Sequence, residues 1–325
     1  MKKKLVVLAL LASVSITSYA DVKAVQEALE RENIVLAEQA FNALSTEDKK
    51  GISGLVLKGR LLLIKDEAED AFNYFQALQK QYHNHVEINY YLGVSAVIMV
   101  QKASIFSKLS YAKDFIKAME RTVELKPDHQ DALKTLIGFH LNAPGIAGGD
   151  TEQALTYAKQ LKQYHEEQGY SQIALVYWQT EKPALAEKTI AEGFAKYPES
   201  GTLYFARANA NIKAKAWDKA RTDLVLAIKY AENDADKARA LYQQGKVSAE
   251  SGEETLLGIS ALMQALPLAD KHYQYWVKYR LAQLHFQQKQ QAKANEYIAQ
   301  IDVSDDEELE DKVKKLKKKL KKLAG

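Results

Sequence analysis

Apolar residues recur along this chain at a helical spacing, and the spacing itself repeats. Within residues 184–230 one run places Ala186 and Ile190 on a common face and is closed by Pro198. Tyr204 and Ala208 open the next segment, and Ala220, Leu224 and Ala227 continue it three and four residues apart, the signature of an amphipathic helix. Ala186 and Ala220 lie 34 residues apart, as do Ala37 and Ala71, and Gly59 and Gly93. A glycine inside a helix costs about 1 kcal/mol relative to alanine. Two of them at the repeat distance mark places where helices cross too closely for a side chain. The pattern predicts paired helices throughout. Residues 21–31 carry Val22, Val25, Ala28 and Leu29 on one face, and residues 32–44 carry Ala37, Phe41 and Leu44. Ala71, Phe75 and Leu78 mark the second helix of the next pair.

After Gly93 the register slips. Pro127 ends the run over residues 111–126, and the unit between is about ten residues longer than a regular 34-residue repeat allows. The pattern predicts an extended first helix, or an added turn, around residues 100–109. Residues 131–142 form the next first helix, followed by the loop Ala143-Pro-Gly-Ile-Ala-Gly-Gly-Asp150. Its proline and paired glycines break both neighbours, and Asp150 with Gln153 reads as a capping box. Further pairs are predicted at Tyr170, Ala174 and Tyr177 with Ala186, at Gly245 with Leu257 and Ala261, and at Leu281 and Ala282 with Ala294 and Ile298. The last stretch differs. Acidic residues fill 305–311, eight lysines fill 312–322, and Leu309, Val313, Leu316, Leu320 and Leu323 recur every three or four residues. Acid first and base last suits the helix macrodipole, so a helix is expected.

This pattern resembles the tetratricopeptide repeat, a 34-residue helical hairpin with small residues where its helices cross and a proline after the second. The resemblance covers nearly all of residues 21–302. It implies an all-α, right-handed α-solenoid of about seven hairpins with a C-terminal capping helix, each hairpin burying its apolar face against its neighbours. Residues 1–20, 21–302 and 303–325 are then leader, repeat domain and charged amphipathic helix. In this family the first helices line an inner surface that holds protein segments. Carried over position by position, that face comprises Arg60, Tyr90, Trp178, Phe205, Asn209, Tyr242, Lys246, Trp276, Tyr279 and Gln283, with Lys134 beside the slipped register. Aromatic and arginine side chains dominate binding hot spots. The other reading of these rings is that they fill gaps between hairpins.

The opening MKKKLVVLALLASVSITSYA changes the expected address. Lys2, Lys3 and Lys4 precede an apolar run over residues 5–16 and a small-residue site ending at Ala20, the pattern of a secretory signal peptide cleaved after Ala20. At about 1.5 Å per residue that run spans roughly 18 Å, short of the ~30 Å hydrocarbon core. The expected location is the periplasm or beyond. The formal charge of +3 comes from 45 basic and 42 acidic residues. Without the three leader lysines the counts are 42 and 42, so net charge gives no reason to expect nucleic acid or an anionic membrane. There is no cysteine, hence no disulfide and no lipid carried on a cysteine.

Candidate chemistry is sparse. Gly148 and Gly149 before a helix start could present backbone N–H groups to an anion, but the loop holds no Lys or Arg; an irregular hairpin turn is the simpler reading. It also resembles a segment of some secreted bacterial tetratricopeptide proteins. His83 and His85 form an HxH pair with His129 elsewhere, yet no third metal ligand is visible. No nucleophile elbow, phosphate loop or dinucleotide fingerprint occurs, and Glu67/Glu69 and Glu253/Glu254 sit near helix starts, where carboxylates suit the dipole. No cofactor and no metal are expected. The lysine-rich helix is read as a cap, with partner contact through a short coiled-coil seam or an anionic membrane surface as alternatives. The resemblance implies a non-enzymatic scaffold binding envelope proteins or peptides. The alternative is a small-ligand or transport-associated protein with a pocket near the enlarged third hairpin and the loop between Pro144 and Gly149.

Overall fold

The computed structural model describes the backbone of residues 14–304 and 306–324, so most of the expected leader lies outside the described residues. These residues are helical, with no strand among them. They gather into two units, divided between Gln160 and Leu161.

The first unit holds α1 (Val14–Glu30) paired with α2 (Ile34–Ala43), a short α3 (Thr46–Lys50), and α4 (Ile52–Ile64) paired with α5 (Ala68–Gln81). Next come α6 (Val86–Lys102) with α7 (Ile105–Leu125), then α8 (Gln130–Asn142), a single 3-10 turn (Gly145–Ala147) and α9 (Thr151–Tyr164), whose last turn belongs to the second unit. The second unit continues with α10 (Glu166–Gln179) and α11 (Pro183–Lys196), α12 (Gly201–Lys213) and α13 (Trp217–Lys229), α14 (Asp234–Ser251) and α15 (Thr255–Ala265), α16 (Lys271–Gln287) and α17 (Gln291–Ala299), and ends in α18 (Glu307–Ala324). The expected hairpins, about seven, come out as eight consecutive pairs among the described residues, and the slipped register resolves as a lengthening of both α6 and α7.

Short polar residues start many of these helices. Asn33, Ser200, Asn233 and Asp270 each accept a bond from the backbone N–H three residues on, at 2.7–3.0 Å, satisfying donors that have no partner within the helix. Pro183 occupies the first turn of α11, where its missing N–H costs nothing. Five of the turns inside the hairpins share one closure. Glu32, Asp66, Glu181, Lys215 and Lys289 hold a left-handed backbone at φ of 51–64°. The N–H of the following residue reaches back five positions, as in Asn33 to Ala28 (3.0 Å), Glu67 to Leu62 (2.9 Å) and Lys182 to Tyr177 (2.8 Å). This is the Schellman closure, made here without glycine.

Within each unit the core is built of clusters that borrow from the next hairpin. In the first unit Val25, Ala28 and Leu29 of α1 meet Ala37 of α2 and Leu57 and Leu61 of α4. In the second, Leu203 of α12 completes the α10–α11 cluster, and Val247 of α14 completes that of α12–α13. Val277, Leu281 and Leu284 of α16 complete the α14–α15 cluster. Neighbour-only burial of this kind defines a solenoid. The seam of α18 ends the series as a cap. Leu309, Val313, Leu316 and Leu320, all at most 5% exposed, lie against Ala282, Ala294 and Ile298.

The repeat glycines sit where the hairpin partners press closest. A Cβ on Gly59 would lie 2.2 Å from the ring of Phe75, and one on Gly93 would lie 2.8 Å from Met119. Phe75 is fully buried and has nowhere to retreat. Gly59→Ala gains about 1 kcal/mol of helix propensity but overpacks a closed site, which costs typically 1–3 kcal/mol. A net loss is expected in urea unfolding followed by circular dichroism, recovered when Phe75→Leu is added. A gain in stability from the single change would show that the two helices can part.

Candidate functional site

The first helices of the pairs carry the residues picked out from the sequence, and the two units present them separately. In the first unit the guanidinium of Arg60 (α4) lies over the ring of Tyr91 (α6), 5.2 Å from its centre, a cation–π contact. Tyr91 in turn stacks on Phe75 at 5.7 Å. Tyr90 meets Tyr91 edge-on at 5.1 Å and His129, the residue before α8, at 4.7 Å. Burial pushes the Tyr90 hydroxyl up to about 12, with Asp131 and Tyr91 adding to the rise and Arg60 opposing it. Among the described residues Arg60 has no carboxylate partner. Lys134 is half-buried on α8.

In the second unit Trp178 of α10 is half-buried on the α10–α11 cluster, and Phe205 of α12 on the next. Asn209 and Lys246 are half-buried as well. Tyr242 is different: it is 7% exposed, belongs to the α14–α15 core and packs on Tyr273 at 4.8 Å. It is a packing residue, because α16 closes over the face that α14 would otherwise show. Trp276 lies under α18, its indole N–H donating to Asp306 Oδ2 at 2.9 Å. Tyr279 touches Trp276 edge-on at 6.2 Å, with Arg280 over its ring at 5.5 Å. Gln283 is engaged at both ends of its amide. Its oxygen accepts from Arg280 Nη1 at 3.0 Å, and its nitrogen donates to the Ala249 carbonyl at 3.3 Å.

Two groups escaped the sequence reading. Arg280, 7% exposed along its side chain, pairs with Glu250 at 3.1 Å and links α16 to α14. The repeat distance of 34 from Lys246 lands on Arg280, a signal that was available. The other is the buried carboxylate of Asp223 on α13. It accepts from Arg207 Nη2 and Nε at 2.6 and 3.0 Å and from Asn211 Nδ2 at 3.0 Å. Arg207 also lies over the Phe194 ring at 4.7 Å, and its hydrogen bonds to Asp223 raise its pKa further. This network borders a cleft of about 490 Å³ shared with Glu187, Asp218, Lys219 and Thr222.

The loop between Pro144 and Gly149 spends its own donors. Gly148 N–H bonds to Gly145, Gly149 N–H to Pro144 and Asp150 N–H to the His140 carbonyl, at 3.0–3.1 Å. Asp150 Oδ1 takes the N–H groups of Glu152 and Gln153 at the start of α9. The N–H groups of Gly148 and Gly149, and those of Glu152 and Gln153 in the first turn of α9, are therefore already engaged. Gly148 is left-handed at φ 99°, and a Cβ there would meet Ile116 at 2.6 Å, so its glycine is a packing requirement. His83 and His85 lie in the turn before α6, where their carbonyls accept from Asn89 Nδ2 at 3.0 and 2.9 Å. No three metal-binding side chains come together among the described residues.

No protein-family model and no curated protein matches the chain. Solved structures do. A tetratricopeptide repeat protein from Parabacteroides merdae superimposes with a TM-score of 0.54 at 13% identity, covering 82% of this chain and 99% of that one. Pseudomonas aeruginosa PilF matches at 0.42 and 17% identity over 60% of this chain and 93% of its own. The Cut9–Hcn1 assembly matches at 0.47 and 14% identity over 95% of this chain and 63% of its own. The last two scores are too low to carry an argument. At such identities the Parabacteroides match speaks to architecture alone, and it agrees with the linked hairpins, the small residues at their crossings and the 34-residue spacing. This chain has the tetratricopeptide-repeat fold.

Proposed function

We propose that the chain is an exported, non-enzymatic adaptor of the cell envelope that holds protein segments on the first-helix faces of its hairpins. One observation carries this reading: Trp178, Phe205 and Tyr279 are each seated on a core cluster on one side and half-open on the other. Rings fixed in this way offer contact area at little entropic cost, as binding hot spots do. Arg60, stacked on Tyr91 and without a carboxylate partner among the described residues, and Lys246 and Asn209 supply polar contacts that set register. The leader pattern at the start of the chain supports a periplasmic or secreted location. Among the described residues no helix is long and apolar enough to cross a membrane.

Trp178→Ala and Tyr279→Ala are each expected to reduce capture of envelope proteins by tenfold or more, the loss typical of a hot spot. The measurement is a crosslinking pull-down from native envelopes with identification of the captured proteins, alongside circular dichroism to confirm retained helix. Full capture by both folded variants would remove the first-helix faces from consideration.

A further inference from the structure

The lysine-rich end of α18 remains unexplained by either the cap or the binding faces. The cap uses one narrow face, on which Leu309, Val313, Leu316 and Leu320 are buried. That seating fixes which residues point away. By the 100° step of a helix, Lys314, Lys315, Lys318, Lys321 and Lys322 stand farthest from the seam, and all five are exposed. Lys312 pairs with Glu308 at 3.4 Å and Lys314 with Glu310 at 2.8 Å. The six lysines beyond them have no ion pair among the described residues.

A cap requires a polar back, and opposite charges one turn apart would provide one, as Glu308 with Lys312 and Glu310 with Lys314 do. A back of one sign places like charges at i,i+4, in Lys314–Lys318, Lys315–Lys319, Lys317–Lys321 and Lys318–Lys322, and each such pair weakens the helix. The rest of the chain shows no such excess. Setting these eight lysines aside leaves 37 of the 45 basic residues against all 42 acidic ones. Six of those acids, Asp305, Asp306, Glu307, Glu308, Glu310 and Asp311, directly precede the lysines, so residues 1–304 are close to balanced and the unbroken positive charge is concentrated at residues 312–322, a local asymmetry that points to an anionic surface. Residues 312–322 are lysine, leucine and valine only. With the seam buried, nothing aromatic and no arginine faces outward, and those are the side chains protein interfaces favour while lysine is depleted there. Lysine acts as a flexible point charge without directed recognition, which suits a dense, repeating array of phosphates.

We propose that the outward face of α18 docks on the phosphate headgroups of an anionic phospholipid bilayer, by charge alone and with the leucine seam still seated on the last hairpin. The test is sedimentation of the purified protein with vesicles of phosphatidylglycerol and phosphatidylethanolamine, against vesicles of phosphatidylcholine. Binding is expected only to the anionic vesicles and is expected to vanish at high salt. Lys→Gln changes at 315, 318, 321 and 322 are expected to weaken it by about fivefold each without loss of helix, because these side chains are exposed and make no ion pair among the described residues. Seating is read from Trp276, which lies under α18: in a Trp178→Phe/Trp217→Phe background its emission is expected to stay unchanged on binding. Failure to bind anionic vesicles at low salt would overturn the proposal, as would binding that the Lys→Gln variants retain. A shift of Trp276 emission would mean that the helix leaves its seat and inserts. Binding to polyglutamate but not to vesicles would make the partner an acidic polypeptide.

Discussion

Exchanging Arg207 for methionine is expected to cost about 3–5 kcal/mol of folding stability, measured as a lowered urea midpoint by circular dichroism. The Asp223 side chain is only 5% exposed, and two of the three donors that hold its carboxylate come from Arg207. Methionine fills similar space but leaves the charge with the single amide of Asn211. Removing one partner of a buried pair typically costs this much, because the remaining ion is stranded away from water. The pair itself is worth far less than that figure. Replacing both members by apolar residues, in Arg207→Met/Asp223→Leu, should restore most of the loss. A cost below about 1 kcal/mol for the single change would mean that water reaches Asp223 through the neighbouring cleft.

The second large effect is local. Leu316→Asp places a carboxylate in the seam between α18 and the last hairpin, where Leu316 is 5% exposed. Burying an unpaired charge costs more than the seam can supply from Leu309, Val313 and Leu320, so α18 is expected to leave its seat. The indole N–H of Trp276 then loses Asp306. Trp276 emission should move to longer wavelength, and amide exchange over residues 307–322 should rise to solvent rates. The earlier hairpins should keep their protection, since each packs only on its neighbours. Leu316→Met, which nearly conserves volume, should cost less than about 1.5 kcal/mol. Uniform loss of protection along the chain after Leu316→Asp would show that the stack unfolds as one unit.

The small-residue spacing made the hairpins legible because close helix crossings exclude large side chains. Gly59 against Phe75 and Gly93 against Met119 show that rule at work. The turns were less legible. Glu32, Asp66, Glu181, Lys215 and Lys289 take a left-handed backbone usually given to glycine, so composition offered no mark there. The slipped register between Gly93 and Pro127 was visible, yet α6 is apolar around much of its circumference, and spacing alone did not say which helix had grown. The candidate face was legible by position but not by exposure. Tyr242 and Tyr279 look alike in sequence, on consecutive first helices, but only the first is enclosed by the following hairpin. Trp276 read as a free anchor because its partner, Asp306, lies 30 residues away, beyond the reach of any helical periodicity.

The shared closure of the hairpin turns bears on how the chain acquires its shape. Each left-handed residue opposes its own side chain by roughly 1 kcal/mol, and the backbone bond across the turn offsets that cost without help from distant residues. A hairpin can therefore close before its neighbours arrive, at five separate points along the chain. Contacts so near in sequence favour rapid folding, and initiation need not await any single nucleus. A chain emerging from a narrow pore, one end first, could set its turns in the order in which they appear.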